Sequence, residues 1–275
     1  MRDPRQMKVV FVGRRWEFNA GLIRWLDKHY DLRAALYIET DCDSLRYRIK
    51  QLKQHIARRG LLRAFDETLF QLAYKVLRER RENSQLLKSL PLDFTRGFIC
   101  EHIAHVCDNI HSDRWLKFIR DIDPDIIFSV CTRTRFKQSL YEIPRFGTLV
   151  YHEGLTPEYR GLNTVAWALL NDQREFIGHT LFKVTQGIDV GPILCQGFYP
   201  DASKYGTQFG LIAHLALLNG LPEVKKALDD LYINEGNFAP VSQTGRASKC
   251  YTWFSLSAYF KLMRKLRDGV STEHA

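Results

Sequence analysis

The segment Lys8-Val-Val-Phe-Val-Gly13 is a short apolar run that ends in a glycine. It is followed by Glu17-Phe-Asn-Ala-Gly-Leu-Ile-Arg-Trp-Leu26, whose apolar residues recur at helical spacing, and then by a second apolar run, Asp31-Leu-Arg-Ala-Ala-Leu-Tyr-Ile38. Strand, helix and strand within about thirty residues are typical of a parallel α/β unit. The sequence therefore predicts an α/β fold whose sheet is mostly parallel.

The same alternation returns later in the chain. The predicted elements are a helix over 112–121, a strand over 125–130, a short helix near 138–141, a strand over 147–152, a helix over 164–171 and a strand over 177–184. Residues 207–231 predict one helix or a broken helix pair, and residues 251–267 predict an amphipathic helix. Gly13 stands alone after the first strand, and without the dinucleotide fingerprint G-x-G-x-x-G the sequence does not indicate NAD binding.

The composition is that of a globular protein. The 275 residues are 45% hydrophobic and 26% charged, and 17 glycines and 9 prolines are too few for a collagen-like or disordered chain. The most continuous apolar stretch, 211–221, is shorter than the roughly 20 residues that cross a bilayer. The N-terminus lacks the apolar core of about 7–15 residues that a secretory signal needs. We expect a cytoplasmic protein.

The six cysteines show no regular spacing, so we predict reduced thiols rather than a disulfide framework. The one local cluster is Cys100, His102, His105 and Cys107, which lacks the two-residue separations of a usual zinc clamp. If this segment were helical, Cys100 and Cys107 would share a face and His102 would point elsewhere. We predict ordinary packing and solvent exposure here, and no metal.

The formal net charge of +9 is concentrated in one segment. Residues 45–88 hold twelve Lys and Arg against four Asp and Glu, and their apolar residues recur every three or four positions. This pattern predicts two amphipathic helices, broken near Gly60. Two interpretations stay open: a solvated basic face, or a surface that meets phosphate groups of a nucleotide-bearing substrate, an anionic membrane or RNA.

Candidate site residues follow the strand at 147–152. His152-Glu-Gly-Leu-Thr-Pro-Glu-Tyr-Arg-Gly161 begins with a histidine at a strand end, and Gly187-Ile-Asp-Val-Gly-Pro-Ile-Leu194 places Asp189 in a glycine-flanked loop. A histidine and a carboxylate so placed can form a pair for proton transfer. Taken singly, His152 is equally explained as a buried core histidine and Asp189 as a turn residue.

These segments, together with Trp167-Ala-Leu-Leu-Asn171 and Gly178-His-Thr-Leu181, resemble the folate-dependent formyltransferases. That family includes glycinamide ribonucleotide, methionyl-tRNA and amino-sugar N-formyltransferases. The resemblance covers roughly residues 92–200 well and the first forty more loosely. It implies a Rossmann-like α/β domain that binds 10-formyltetrahydrofolate as co-substrate beside the amine acceptor.

The family's usual catalytic trio is an Asn, a His two residues later and a downstream Asp. The resemblance assigns His152 and Asp189 to the last two places, whereas the Asn place holds Val150. Phe182 is a second departure, since many members have a histidine there. The resemblance also places the pterin against the backbone of two loops, and the residues it assigns to co-substrate binding are Thr132, Arg133, Thr134, Arg135, Phe136, Thr185, Gly187 and Ile188.

In the implied mechanism, His152 shuttles the proton, and Asp189 orients His152 or holds a relay water. Valine cannot donate a hydrogen bond to the developing oxyanion, and losing one such donor typically costs about 10²–10³ in rate. The replacement donors we consider are Thr148, Asn163, a backbone amide and a water. Tyr151 is excluded because strand alternation places it on the other face.

We expect a formyltransferase-like domain over 1–232, with a basic helical insertion at 45–90 and a C-terminal extension at 233–275. The extension is too short for the C-terminal barrel of methionyl-tRNA formyltransferases, so we expect no tRNA substrate. The expected acceptor is the amine of a small molecule, such as an amino sugar joined to a nucleotide or lipid phosphate. The alternatives are a catalytically impaired relative that binds folate or a nucleotide sugar, and an enzyme that hydrolyses a formyl donor.

Overall fold

A computed structural model describes residues 2–38, 45–91, 94, 103–132 and 134–270. The strands are Lys8–Gly13 (β1), Asp31–Ile38 (β2), Ala104–Cys107 (β3), Ile126–Val130 (β4), Gly147–Glu153 (β5), Arg160–Gly161 (β6), Gly178–Lys183 (β7), Ile193–Phe198 (β8) and Cys250–Tyr251 (β9). The helices are Glu17–His29 (α1), Leu45–Arg59 (α2), Leu61–Tyr74 (α3), Arg80–Ser89 (α4), Asp113–Ile122 (α5), Gln138–Tyr141 (α6), Thr164–Leu170 (α7), Phe209–Asn219 (α8), Leu221–Ile233 (α9) and Leu256–Val270 (α10). A π-helical turn, Lys75–Glu79, joins α3 to α4.

Within the described residues, the central sheet has seven strands in the order β3-β2-β1-β4-β5-β7-β8. The first five are parallel, whereas β7 and β8 run antiparallel to their neighbours. The middle strands are buried on both faces, which explains why they read as continuous apolar runs rather than alternating patterns. The prediction of a mostly parallel α/β sheet is confirmed.

Helices cover both faces of this sheet. On one face, α1, α7, α8 and α9 bury the larger core, which contains Phe11, Phe128 and Tyr151. On the other, α5 and α6 bury a smaller core built on Val10, Ile127 and similar side chains. No helix in the described ranges is long and apolar enough to cross a membrane.

Strand β3 lies where the sequence considered a helix. Ala104–Cys107 pairs in parallel with the edge of β2, from Ala35 opposite Ala104 to Ile38 opposite Cys107. Pairing satisfies backbone groups that the edge of β2 would otherwise leave open, which outweighs the weak local pattern. Cys107 is buried and the His105 ring packs edge-on against Phe118.

Cys100 and His102, the other members of that cysteine and histidine cluster, lie outside the described residues. Over the described ranges, no three metal-ligating side chains come together. The cysteines that the structure describes, Cys107, Cys131, Cys195 and Cys250, are free thiols.

The basic insertion folds as the two predicted helices and a third that continues them. The break falls at Gly60, which precedes α3 with a φ of 81° that favours glycine. A buried acid attaches the insertion to the domain: Glu82 Oε2 accepts hydrogen bonds from the backbone amides of Gly210 (2.9 Å) and Leu211 (3.2 Å) and from Tyr74 Oη (2.5 Å). Those amides belong to the first turn of α8, where a carboxylate satisfies otherwise unpaired donors.

The C-terminal extension packs on the same core as the insertion. Phe254 is fully buried, with its ring centroid 5.3 Å from that of Phe70 in α3 and 4.9 Å from that of Trp167 in α7. Two-stranded pairing of β9 with β6 adds a backbone connection to the domain. The extension and the domain share one hydrophobic core. The domain boundary between residues 232 and 233 stays a prediction.

Candidate active site

The neighbouring strands β4, β5 and β7 form the floor of the candidate site. Alternation along β5 places Thr148, Val150 and His152 on one face and Tyr151 on the other. Tyr151 is buried on its own face, where its hydroxyl donates to the Leu217 carbonyl at 2.5 Å. That hydroxyl therefore points away from the face that carries His152.

Val150, at the place of the family's usual Asn, lies between Ser129 of β4 and Phe182 of β7. Side chains directly opposite in an antiparallel pair have Cβ atoms about 4.5–5.5 Å apart. The two departures from the family pattern, Val150 and Phe182, are therefore cross-strand neighbours, and Phe182 is buried. An apolar pair occupies the position where the resemblance places polar groups.

Ser129 was not singled out from the sequence. It is fully buried on the face shared with Val150, and its hydroxyl finds no hydrogen-bond partner within the described part of the chain. A buried polar group without a partner costs free energy, which makes such a group a candidate for function. A serine inside an apolar strand carries no distinctive sequence signal, and only the register of β4 against β5 places it beside Val150.

His152 is 6% exposed, and its orientation is set by a backbone carbonyl. Its Nε2 lies 3.2 Å from the Tyr159 carbonyl oxygen. A carbonyl only accepts, so Nε2 carries the hydrogen and Nδ1 is left to exchange a proton. Nδ1 is 3.6 Å from Glu153 Oε2, a carboxylate that the sequence reasoning did not consider.

Asp189 is tied to the same segment of backbone as His152. Its Oδ2 accepts a hydrogen bond from the Gly161 amide at 2.8 Å, and Arg160 Nη1 donates to the Ile188 carbonyl at 2.8 Å. No hydrogen bond or ion pair joins the described side chains of Asp189 and His152. The carboxylate instead fixes its loop to the 159–161 segment, whose Tyr159 carbonyl orients His152.

Tyr159 connects that segment to the C-terminal extension. Its ring is buried and stacks on Tyr251 with centroids 4.7 Å apart and planes 6° apart. Its hydroxyl donates to Gln173 Oε1 at 2.6 Å and accepts from Asn171 Nδ2 at 3.0 Å. The β6–β9 pairing brings Gly161 so close to Tyr251 that a Cβ would stand 2.2 Å from its carbonyl oxygen. The extension therefore packs against the backbone segment that orients His152.

Two of the predicted replacement donors have partners of their own. Thr148 Oγ1 donates to the Tyr141 carbonyl oxygen in α6 at 3.2 Å. Its single hydroxyl hydrogen is therefore not available to an oxyanion. Asn163 Oδ1 accepts from the Phe254 amide at 3.1 Å, which leaves its Nδ2 hydrogens as the available donors.

The two predicted pterin loops are shaped by local contacts. In the first, the Thr134 amide donates to Thr132 Oγ1 at 3.1 Å, the Arg135 carbonyl lies 3.0 Å from His111 Nε2, and Phe136 is anchored in the smaller core. Arg133 lies outside the described residues.

In the second loop, the Lys183 amide bonds the Pro192 carbonyl at 2.9 Å and closes the base. Gly191 fits there because a Cβ would stand 1.6 Å from the Lys183 carbonyl oxygen. Thr185 and Ile188 are exposed, and Gly187 has a φ of 134°. The loop thus presents backbone and an exposed Ile188 for a ligand, and co-substrate binding by these residues stays a prediction.

Cys131, at the end of β4, is not an alternative nucleophile. Burial raises the pKa of its thiol, and the nearby carboxylate of Glu153 raises it further. His214 Nε2 lies 4.0 Å from the sulfur, but burial lowers the pKa of His214 to about 4. Both groups are neutral near pH 7, so no thiolate is available for attack.

A cavity of about 430 Å³ lies apart from these residues. It opens between α3, α7 and the C-terminal extension, and its lining includes Leu62, Asp66, Trp167, Trp253 and Lys261. Neither His152, Val150 nor Asp189 contributes to it. The cavity therefore lies at the junction of the insertion and the extension, away from the candidate site residues.

Comparison with known proteins finds similarity to formyltransferases over part of the chain. Residues 108–201 match the formyl transferase family. The bifunctional polymyxin resistance protein ArnA of Wigglesworthia glossinidia brevipalpis is 36% identical over 88 residues, which are 32% of this chain and 13% of that protein. The methionyl-tRNA formyltransferase of Geobacter metallireducens is 40% identical over 115 residues, 42% of this chain and 36% of that protein. The chain thus matches well under two thirds of these relatives' lengths.

A sugar N-formyltransferase from a Shewanella species has the same fold. Its structure superposes with a TM-score of 0.55 at 13% identity, covering 94% of this chain and 87% of that one. The likeness extends the shared fold well beyond residues 108–201. Residues 108–201 therefore match the formyl transferase family, and most of the chain shares the fold of a sugar N-formyltransferase.

Proposed function

We propose that this chain transfers a formyl group from 10-formyltetrahydrofolate to the amine of a small, phosphate-bearing acceptor such as an amino sugar linked to a nucleotide. The observation that carries the proposal is that His152 and Asp189 are both fixed to the 159–161 segment. His152 is thereby held with one defined nitrogen, Nδ1, free for proton transfer.

The reaction needs one proton to cross the site. The acceptor amine attacks the formyl carbon, the carbonyl π electrons move to oxygen, and a tetrahedral intermediate forms. His152 Nδ1 removes the proton from the attacking nitrogen and returns it to the folate nitrogen as the carbon–nitrogen bond to folate breaks. The products are the N-formyl acceptor and tetrahydrofolate. Glu153, 3.6 Å from Nδ1, stabilises the imidazolium that exists between the two transfers.

A phosphate-bearing acceptor is favoured by charge at the same edge of the sheet. Arg14 and Arg15 are exposed directly after β1 and before α1. Gly13 pairs with Val130, and Val130 pairs with Tyr151, so the carboxyl end of β1 lies beside those of β4 and β5. Ligands of open α/β sheets bind outside the carboxyl ends of the strands, and helix N-termini and guanidinium groups both favour anions.

A catalytically impaired binding protein is the second candidate, because Val150 and Phe182 make the place of the usual donor apolar. Retention of a positioned His152 favours catalysis over this alternative. The two candidates differ in turnover and agree in folate binding, so both quantities must be measured.

The test combines calorimetry with 5-formyltetrahydrofolate and an assay of tetrahydrofolate release from 10-formyltetrahydrofolate, using a panel of nucleoside diphosphate amino sugars. We expect folate binding by the wild type and by His152→Ala, and turnover by the wild type that falls at least about 100-fold in His152→Ala. His105→Ala, on the edge strand β3, is the matched control and should retain full turnover. Absence of binding at near-millimolar folate would remove the folate assignment, whereas binding without turnover on any acceptor would establish the binding protein.

A further inference from the structure

The basic insertion carries an apolar face that nothing in the described structure covers. Side chains of α3 and the turn that follows it recur every three or four positions along this face and are each between 38% and 75% exposed, apart from Leu62 at 86%: Leu61, Leu62, Phe65, Leu69, Leu72, Val76 and Leu77. We call this set the apolar ridge. The opposite face of α3 packs inward through Ala64, Glu67 and Phe70. The ridge is therefore a second apolar face on a helix that already has its core contact.

Much of the positive charge of the insertion is exposed, whereas three of its four acids are buried or hydrogen-bonded. Of the four acids in residues 45–88, Glu67 and Glu82 are buried, and Asp66 accepts hydrogen bonds from Ser257. Buried Glu67 is paired with His55 and with Arg63, whose side chain is itself exposed. Only Glu79 remains exposed, against the exposed basic residues Lys53, Arg58, Arg63, Lys75, Arg80, Arg81 and Lys88. The surface around the ridge is thus strongly cationic.

The neighbouring α10 adds charge beside the ridge. Lys261 lines the same cavity as Leu62, and Lys261, Arg264 and Lys265 are exposed. Exposed Phe260 lies on this helix as well. An amphipathic helix with leucine, phenylalanine and valine on one side and lysine and arginine around them is the composition of segments that lie in a membrane interface.

We propose that the apolar ridge docks the protein on an anionic lipid bilayer, with the surrounding lysine and arginine side chains meeting the headgroup phosphates. The aliphatic side chains enter the boundary between headgroups and acyl chains, and the cationic rim supplies attraction that neutral lipid does not. This inference rests on the insertion and the neighbouring α10, and it does not depend on the proposed reaction.

Charge and side-chain type favour an anionic bilayer over the other partners considered for the apolar ridge, a second copy of the chain and single-stranded RNA. A second copy would bring the same cationic surface to a symmetric contact and place like charges together. Single-stranded RNA is bound through aromatic side chains on which bases stack, whereas six of the seven ridge residues are aliphatic. An anionic bilayer matches both the aliphatic ridge and its cationic rim.

The test is co-sedimentation of the full chain with vesicles of phosphatidylcholine alone or with about 30% phosphatidylserine. We expect binding at least tenfold stronger to the anionic vesicles, and weaker at high salt. L62S/F65S/L72S, which changes three residues that are each more than half exposed, should reduce anionic-vesicle binding at least tenfold. Val106→Ser, 51% exposed on β3, is the matched control and should bind as the wild type does.

A charge variant tests the contribution of the basic residues around the apolar ridge. R58Q/R80Q/R81Q should weaken anionic binding and flatten its salt dependence, with Arg120→Gln on α5 as control. Arg63 is left intact because it pairs with buried Glu67. The proposal is overturned if the wild type does not bind anionic vesicles, if L62S/F65S/L72S binds them equally well, or if a 30-nucleotide RNA displaces them. It is also overturned if sedimentation velocity without lipid shows a dimer that L62S/F65S/L72S dissociates.

Discussion

At the scale of single residues, the hydroxyl of Ser129 is a candidate for the oxyanion donor that Val150 cannot supply in the proposed reaction. It is a buried donor without a partner in the described structure, beside Val150 in the sheet register. We predict that Ser129→Ala lowers formyl-donor turnover by about a hundredfold, the lower end of the roughly 10²–10³ in rate that the loss of one oxyanion donor typically costs. Because the hydroxyl has no partner to lose, the thermal melt should be unchanged or slightly raised. Unchanged turnover would leave Ser129 as a structural residue only.

Also at the residue scale, the apolar pair of Val150 and Phe182 should limit any rescue of the usual chemistry. Val150→Asn places a carboxamide on the face of His152, but opposite a buried phenyl ring. We predict that V150N/F182H raises turnover about tenfold or more, and more than Val150→Asn alone, because the second change gives the new amide a polar neighbour. Both variants should be less stable, since a polar group enters a buried position.

The control for this rescue is the same double variant with His152→Ala added. Turnover and thermal melts are measured together on all of these proteins. A gain that survives the loss of His152 would show that the new groups work by another route.

At the scale of elements, Glu82 joins α4 to the first turn of α8. We predict that Glu82→Ala costs about 2–3 kcal/mol in the free energy of unfolding, because two amides of α8 and the Tyr74 hydroxyl lose their buried acceptor. Glu82→Gln should cost less, since a carboxamide oxygen can still accept. Urea denaturation measures both, and exposed Glu79→Ala should stay within about 0.5 kcal/mol of the wild type. Equal costs for Ala and Gln would mean that charge, and not the acceptor, matters.

At the scale of the whole molecule, insertion, domain and extension meet at Phe254. Its fully buried ring contacts Phe70 of the insertion, Trp167 of α7 and Phe209 of α8. We predict that Phe254→Ala lowers the free energy of unfolding by about 3–5 kcal/mol and shifts a single calorimetric transition as a unit. Phe260→Ala, an exposed ring on α10, is the control and should change stability little. Two separate transitions in the wild type would show that the extension folds by itself.

The local pattern of the sequence was sufficient for most of the fold. Short, mainly apolar runs predicted the strands β1, β2, β4 and β5, because most of their side chains are buried. Gly60 predicted the break between α2 and α3. The resemblance carried by the 152–161 and 187–194 segments indicated the family that residues 108–201 match. Strand β3 was missed, because its four residues become a strand only by pairing with the edge of β2.

What only the tertiary structure decided is which groups meet. Sequence separation hides that Val150 faces Phe182 across two strands, that Ser129 stands beside them, and that Tyr159 and Gly161 link His152 to Asp189. The composition of residues 45–88 likewise left both a solvated face and a binding surface open. Packing determines which of these charges reach the surface. It buries Glu67 and Glu82 and leaves several leucines and arginines of the insertion exposed. Local periodicity specifies elements, whereas register and burial, which depend on residues far apart in the chain, specify the site.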